Sequence, residues 1–113
     1  MLTNKVLSGK QNFDPVYKYG KSIGHKYVVV FYKQIHLSYN RIAFLASKKV
    51  GNAVCRNRAR RLMKESFRLL GDLGFTGYDI IFIARNTING KKCADVQWSI
   101  RSALKKAALG KNK

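Results

Sequence analysis

Basic side chains are concentrated in one stretch of the chain, residues 48–68. Its cations are Lys48, Lys49, Arg56, Arg58, Arg60, Arg61, Lys64 and Arg68, and its one acid is Glu65. Cations at this density repel one another unless anions neutralise them, so the stretch attracts polyanions. Arginine outnumbers lysine here, and its planar guanidinium binds two phosphate oxygens at once, whereas lysine acts as a point charge. The stretch therefore predicts phosphate recognition.

The order of the charges distinguishes a binding face from an ordinary solvent-exposed helix. A solvated helix usually pairs Glu with Lys at a spacing of four residues, because such pairs stabilise it. Here Arg56, Arg60 and Lys64 follow one another at that spacing, which is unfavourable without a counterion. Asn57 adds a neutral donor and acceptor that could read a base edge or a 2′-hydroxyl. The pattern favours nucleic acid as the partner.

Groups that could carry out hydrolysis or hold a metal are scarce. The acids are Asp14, Glu65, Asp72, Asp79 and Asp95, with no D-x-D or E-x-x-H arrangement. Asp72 and Asp79 are expected in turn or capping roles, and His25 and His36 in surface or loop positions. Cys55 and Cys93 lack a C-x-x-C spacing, which is typical of reduced thiols in the cytosol. We expect neither a protein catalytic centre nor a protein-held metal.

Length and charge narrow the class of protein. The 113 residues suit a single domain, and 23 Lys and Arg against five acids give a net charge of +18. No apolar run could span a membrane, and residues 1–12 lack the apolar region of a secretory signal, so we expect none there. A peripheral membrane helix would need bulky apolar residues, whereas the apolar side of residues 53–70 includes Cys55, Ala59 and Ser66. The sequence predicts a single cytoplasmic domain over residues 1–113 that binds a polyanion such as nucleic acid, with basic tails at about 1–10 and 110–113.

The elements that position these residues follow from periodicity and capping. The predicted helices span residues 12–20, 53–70 and 95–109, and the predicted strands span 27–32, 41–47 and 79–84. Asn12 would cap the first helix, with Pro15 in its first turn and Gly20 at its end. The second strand is expected antiparallel to the first, and the third buried on both faces. Together they predict a small sandwich of helices on a mixed sheet.

A wheel drawn for residues 53–70 separates a packing side from the cations. The residues predicted to face the sheet are Cys55, Ala59, Leu62, Met63, Ser66 and Leu70. The cations lie opposite, with Arg56 and Arg58 at the two margins. One helix is thus expected to pack on the sheet and present a basic surface.

The stretch from Ser47 to Arg61, with Arg56-Asn57-Arg58 at its core, closely resembles the RNR signature of the bacterial ribonuclease P protein subunit. Residues 12–20 resemble that family's first helix, residues 78–85 its late strand and the basic end its last helix. The resemblance covers nearly the whole chain. It implies an α+β single-domain, two-layer sandwich of order αβββαβα, with helices on a mixed sheet and a left-handed βαβ crossover.

The resemblance also implies a function. In that family an RNA subunit is the catalyst, and it removes the 5′ leader of precursor tRNA with Mg²⁺ held mainly by the RNA. The protein component of this endoribonuclease binds the RNA one to one. The positions implied to face the RNA subunit are Lys48, Lys49, Asn52, Arg56, Asn57, Arg58, Arg60, Arg61, Lys64 and Arg68.

The family's leader cleft lies between the first helix and the sheet, and the matching positions are Phe13, Tyr17 and Phe31. Unpaired bases need flat apolar surfaces on which to stack, with cations near their backbone. The alternative is that these aromatic residues are simply core. Pro15 departs from the usual residues of that helix, which bears on the lining of the cleft.

A ribosomal-type or general RNA-binding module without an enzyme association is the alternative function. The feature that separates the two is Arg56-Asn57-Arg58 following Lys48-Lys49 at this spacing.

Overall fold

The computed structural model describes residues 4–109 as a five-stranded mixed sheet with helices on both faces. In chain order the elements are β1 (Asn4–Val6), α1 (Lys10–Tyr19), β2 (Lys21–Gly24), β3 (Val28–Gln34), β4 (Asn40–Leu45), α2 (Ala53–Arg68), β5 (Tyr78–Ala84), a short 3₁₀ turn (Asn86–Ile88) and α3 (Cys93–Ala107). After β1 the order is αβββαβα, so the predicted α+β fold is confirmed. Because α1 packs on one face of the sheet and α2 and α3 pack on the other, there are three layers and not the predicted two.

The strands lie in the order β1-β4-β5-β3-β2. β4 is parallel to both β1 and β5, whereas β3 is antiparallel to both β5 and β2. The first two predicted strands, now β3 and β4, do run in opposite directions, but β5 lies between them. Helix α2 connects the parallel neighbours β4 and β5 and so forms a βαβ unit. The hand of that crossover stays an expectation from the resemblance.

The amino-terminal stretch differs from the predicted tail, because Asn4–Val6 is an edge strand. It pairs with Asn40–Ile42, and Leu7 beyond it is buried and donates its N–H to the Ile42 carbonyl at 2.8 Å. Three residues are too few for a strand pattern to be visible in the sequence, and the exposed edge of β4 supplies the pairing. Residues 1–3 of the first predicted tail and the whole of the second, 110–113, lie outside the described residues.

The start of the first helix was also predicted wrongly. Helix α1 begins at Lys10 after Gly9, so Pro15 lies in its interior and not in its first turn. Asn12 is inside the helix, where its amide donates to the Ser8 carbonyl at 2.7 Å instead of capping. Gly20 does end the helix. A Cβ there would come within 2.4 Å of the Tyr32 carbonyl oxygen, so no larger residue fits without a shift of the backbone.

Each face of the sheet carries its own core. Alternate residues of β5 separate them, with Ile80 and Phe82 facing α2 and α3, and Ile81 and Ile83 facing α1. Of the residues predicted to face the sheet, Ala59, Met63 and Ser66 are buried on α2, Cys55 and Leu62 are partly buried there, and Leu70, just beyond the helix, is partly buried as well. Phe67, which the wheel did not single out, is buried as well.

None of the helices within residues 4–109 combines the length and the apolar character that crossing a membrane requires.

Candidate nucleic-acid interface

The rotation of α2 about its axis is set by its cap and its packing side. The Asn52 side chain accepts a hydrogen bond from the Cys55 N–H at 3.0 Å and so begins the helix. Ala59 and Met63 are buried against the sheet, which turns the opposite side of the helix to solvent. The predicted cations therefore lie on the surface together, beside Lys48 and Lys49 in the turn before the helix.

Four of these cations are free to bind an external anion. The side chains of Lys48, Lys49, Arg61 and Lys64 belong to exposed residues. Within the part of the chain that the structure describes, none of the four side chains has a hydrogen-bond or ion-pair partner. They are therefore charges whose neutralisation requires a ligand.

The two arginines of the RNR motif are each held by a backbone carbonyl. Arg56 donates from Nη1 to the Gly51 carbonyl at 2.9 Å, and Arg58 donates from Nη2 to the Lys91 carbonyl at 2.6 Å. A guanidinium has five N–H donors, so each of these arginines keeps others for a phosphate. The carbonyl contacts fix the direction of the side chains before any ligand binds.

Arg60 and Arg68, the remaining arginines of the face, contact polar groups of the same helix. Arg60 donates from Nη2 to the Asn57 side-chain oxygen, which leaves the Asn57 amide N–H groups available. Arg68 forms two hydrogen bonds to Glu65, at 2.6 and 3.0 Å, and these lower the pKa of the Glu65 carboxyl. Arg68 is therefore less available to phosphate than Arg61 or Lys64.

A groove of about 570 Å³ runs along the open edge of β4, next to this cationic face. β1 pairs with β4 only as far as Ile42, so within residues 4–109 no strand covers that edge from Ala43 to Leu45. Its basic wall is formed by Arg60, Arg61, Lys64 and Arg68, and its apolar lining includes Leu7, Phe13, Phe44 and Phe67. Since Phe13 and Leu7 belong to the α1 side of the sheet, the groove connects the two faces around the edge.

The three predicted leader-binding residues lie together on the α1 side. Phe13 and Tyr17 are one helical turn apart, and the rings of Tyr17 and Phe31 meet edge to face with centroids 5.0 Å apart. Phe13 and Phe31 are half-buried against Val16 and Ile81, whereas Tyr17 is 41% exposed. Partial burial raises the pKa of the Tyr17 hydroxyl. The cluster thus contributes to the core and also presents aromatic surface to solvent.

An ion pair that lies on the α1 side of the sheet was not predicted from the sequence. Arg41 and Asp79 are neighbours on parallel strands, and the Arg41 Nε and Nη2 atoms each lie 2.7 Å from one carboxylate oxygen of Asp79. The predicted turn or capping role of Asp79 was therefore wrong, although Asp72 does have one, accepting from the Gly74 N–H at 2.9 Å. The residues are 38 positions apart, and nothing in the sequence signals their pairing.

Across residues 4–109 no three His, Cys, Asp or Glu side chains lie close enough together to hold a metal ion. The RNA contacts assigned by position stay predictions, but the structure brings their side chains into two connected surfaces. One is the cationic face of α2, and the other is the aromatic cleft formed by Phe13, Tyr17 and Phe31.

Comparison with known proteins gives matches along almost the whole chain. A family model described as Ribonuclease P matches residues 1–108. The Ribonuclease P protein component of a Thermoanaerobacter species is 39% identical over 110 residues, covering 96% of this chain and 95% of the relative. That of Clostridium kluyveri is 44% identical over 101 residues, covering 88% and 90%.

Two solved structures are similar as well. The RNase P protein of Staphylococcus aureus has a TM-score of 0.80 at 28% identity, covering 96% of this chain and 98% of its own. The RNase P protein of Thermotoga maritima has a TM-score of 0.80 at 26% identity, covering 90% and 96%.

Proposed function

The chain belongs to the ribonuclease P protein family, and we propose that its cationic helix α2 binds the RNA subunit of that enzyme. The observation that carries the proposal is the set of unpartnered cations beside two arginines held in place. Lys48, Lys49, Arg61 and Lys64 have no partner among residues 4–109, whereas backbone carbonyls orient Arg56 and Arg58. Side chains oriented in advance lose less conformational entropy when they bind phosphate.

The aromatic cleft is the proposed site for the 5′ leader of precursor tRNA. A leader is unpaired, so its bases can stack on Phe13, Tyr17 and Phe31 while basic residues neutralise its backbone. The groove at the edge of β4 supports separate sites for the leader and the RNA subunit, because it leads from the aromatic cleft to the cationic face of α2. One protein molecule could then contact the leader and the RNA subunit together.

The proposed chemistry belongs to the RNA and to Mg²⁺ held mainly by it. Each acid of this protein is already engaged within the fold. Asp14 accepts from Lys10, Glu65 from Arg68, Asp79 from Arg41, Asp72 from the Gly74 N–H and Asp95 from the Lys92 N–H. The protein therefore contributes positioning and charge neutralisation, as one copy on one RNA.

Reconstitution tests the proposal. The full chain is added to a bacterial ribonuclease P RNA at low Mg²⁺, and cleavage of precursor tRNA is followed. We expect a clear stimulation that falls steeply with added salt, since phosphate contacts release counterions. A double variant, Arg61→Ala with Lys64→Ala, should need more protein for the same stimulation.

Unchanged cleavage in the presence of the bound protein would refute the enzyme association. RNA binding that is equally tight for unrelated structured RNAs, without stimulation, would favour the general RNA-binding module instead.

A further inference from the structure

Trp98, the single tryptophan of the chain, lies on α3 with 51% of its surface exposed. An exposed apolar side chain is common and implies nothing alone. This indole, however, is part of an aromatic group. The His25 ring lies 4.9 Å from it at 73°, and the Tyr27 ring lies 6.4 Å from it at 67°. We call Trp98, His25 and Tyr27 the aromatic trio.

Hydrogen bonds beneath the trio hold it in place. The buried Ser99 hydroxyl lies 2.8 Å from His25 Nδ1 and accepts from the Tyr27 N–H at 3.3 Å. Arg85 donates from Nη1 to the His25 carbonyl at 3.0 Å. The indole therefore has fixed neighbours before any ligand arrives, and such preorganisation reduces the entropy lost on binding.

Cations surround the trio. The Nζ atoms of Lys26 and Lys91 lie 5.9 and 5.5 Å from the centre of the Tyr27 ring. Burial lowers the pKa of His25, and the charge of Lys106 lowers it further. The nearest acid along α3, Asp95, already accepts a hydrogen bond from the Lys92 N–H at 3.0 Å. An aromatic side chain among cations complements a base attached to phosphates, as in single-stranded nucleic-acid sites.

Lys91 connects the trio to the cationic face of α2. Its carbonyl accepts the hydrogen bond from Arg58, and its ammonium lies near the Tyr27 ring. An RNA bound along α2 would therefore meet Lys91 at the margin of the helix and then Trp98. The aromatic cleft is on the other side of the sheet, since α1 and α3 pack on opposite faces. A leader bound in the aromatic cleft would therefore not reach Trp98 by following α2.

We propose that Trp98, with His25 and Lys91, forms a second RNA-binding surface on which an unpaired base of the ribonuclease P RNA stacks. The base lies on the indole, and Lys26 and Lys91 contact the adjoining phosphates. This inference rests on the proposed function, because the same RNA must occupy α2.

The emission of Trp98 provides a direct test, since no other tryptophan contributes. The full chain is titrated with a bacterial ribonuclease P RNA, and indole emission and filter retention of the RNA are measured in parallel. We expect the emission to fall as binding saturates, because a stacked base quenches an indole. Binding without any change in emission would overturn the inference and leave the proposed function intact. Absence of binding would overturn both.

Substitution gives a second measurement. Trp98→Ala should weaken binding of the RNA about 5- to 150-fold, the range for loss of one base–aromatic stack, and Trp98→Phe should retain most of the affinity. Tyr19→Ala is the matched control, because Tyr19 is 73% exposed on α1 and belongs to neither surface. Equal affinity of a folded Trp98→Ala variant and the wild type would contradict the proposal. A change in oligomeric state with unaltered RNA affinity would assign the surface to a second copy instead.

Discussion

The rings of Tyr17 and Phe31 meet edge to face, with their centroids 5.0 Å apart and their planes at 79°. The contact joins α1 to the interior of the sheet, because Phe31 is on β3 and pairs in register with Ile81 of the central strand β5. Tyr17 remains 41% exposed. The pair thus closes the core beneath α1 and offers aromatic surface beside it, so its two roles can be separated by substitution.

Phe31→Ala and Tyr17→Ala should each weaken binding of precursor tRNA to the reconstituted enzyme more than binding of mature tRNA. A stacked base contributes about 1–3 kcal/mol to binding. Mature tRNA has no leader, so it does not make this contact and its binding should not change. Tyr17→Ala should reduce the stability of the fold less than Phe31→Ala, since Tyr17 is partly exposed. Equilibrium binding of both tRNAs provides the measurement, with Tyr19→Ala as the control. An equal loss for the two tRNAs would remove the leader-binding role.

Arg61→Ala and Arg58→Ala should both weaken RNA-subunit binding but differ in their effect on folding. Arg61 has no partner within residues 4–109, so its loss should leave the melting temperature unchanged and reduce the logarithmic salt slope by about 1. Arg58→Ala also removes the hydrogen bond to the Lys91 carbonyl, which should cost about 0.5–1.5 kcal/mol of stability. Thermal melts and salt titrations measure these effects. Equal destabilisation by both substitutions would indicate structural roles.

Asp79→Asn should destabilise the fold by about 1–3 kcal/mol, the usual cost of leaving a largely buried polar group without its partner. The Asp79 side chain is only 4% exposed, and removing its charge leaves the guanidinium of Arg41 partly buried without a counterion. Urea denaturation measures the change. The matched control is Asp14→Asn, which breaks the exposed Lys10–Asp14 pair and should leave the midpoint nearly unchanged. Similar midpoints for the two variants would show that the Arg41–Asp79 pair contributes little.

Acidification should destabilise the protein in part through His25. Burial lowers the pKa of the His25 imidazole, and the charge of Lys106 lowers it further. The unfolded chain then binds a proton more readily than the folded chain, so this contribution is complete above the ordinary histidine pKa of about 6.5 and decreases as the pH falls through it. Denaturation midpoints of wild type and His25→Gln between pH 7.5 and 5 should converge as the pH falls. Parallel curves would exclude His25 as the titrating group.

Much of α2 could be predicted from the sequence because a helix is a local structure. Its periodicity separated Ala59 and Met63 from the cations, and the side chain of Asn52 caps it through the amide three residues on. The continuous apolar run of β5 likewise predicted burial on both faces. The start of α1 was harder to predict, because the residue before its first turn is Gly9 and not Asn12.

Contacts between residues that are far apart in the sequence could be identified only from the tertiary structure. Sheet order and register depend on which strands bury one another's faces, and local patterns do not encode that choice. Placement of β5 between β3 and β4 sets Arg41 beside Asp79 and leaves the edge of β4 open past Ile42. Packing of α3 next to α2 gives Arg58 its bond to Lys91. The basic stretch and its charge are therefore properties of the sequence, whereas its connections to the aromatic cleft and to Trp98 arise from tertiary packing.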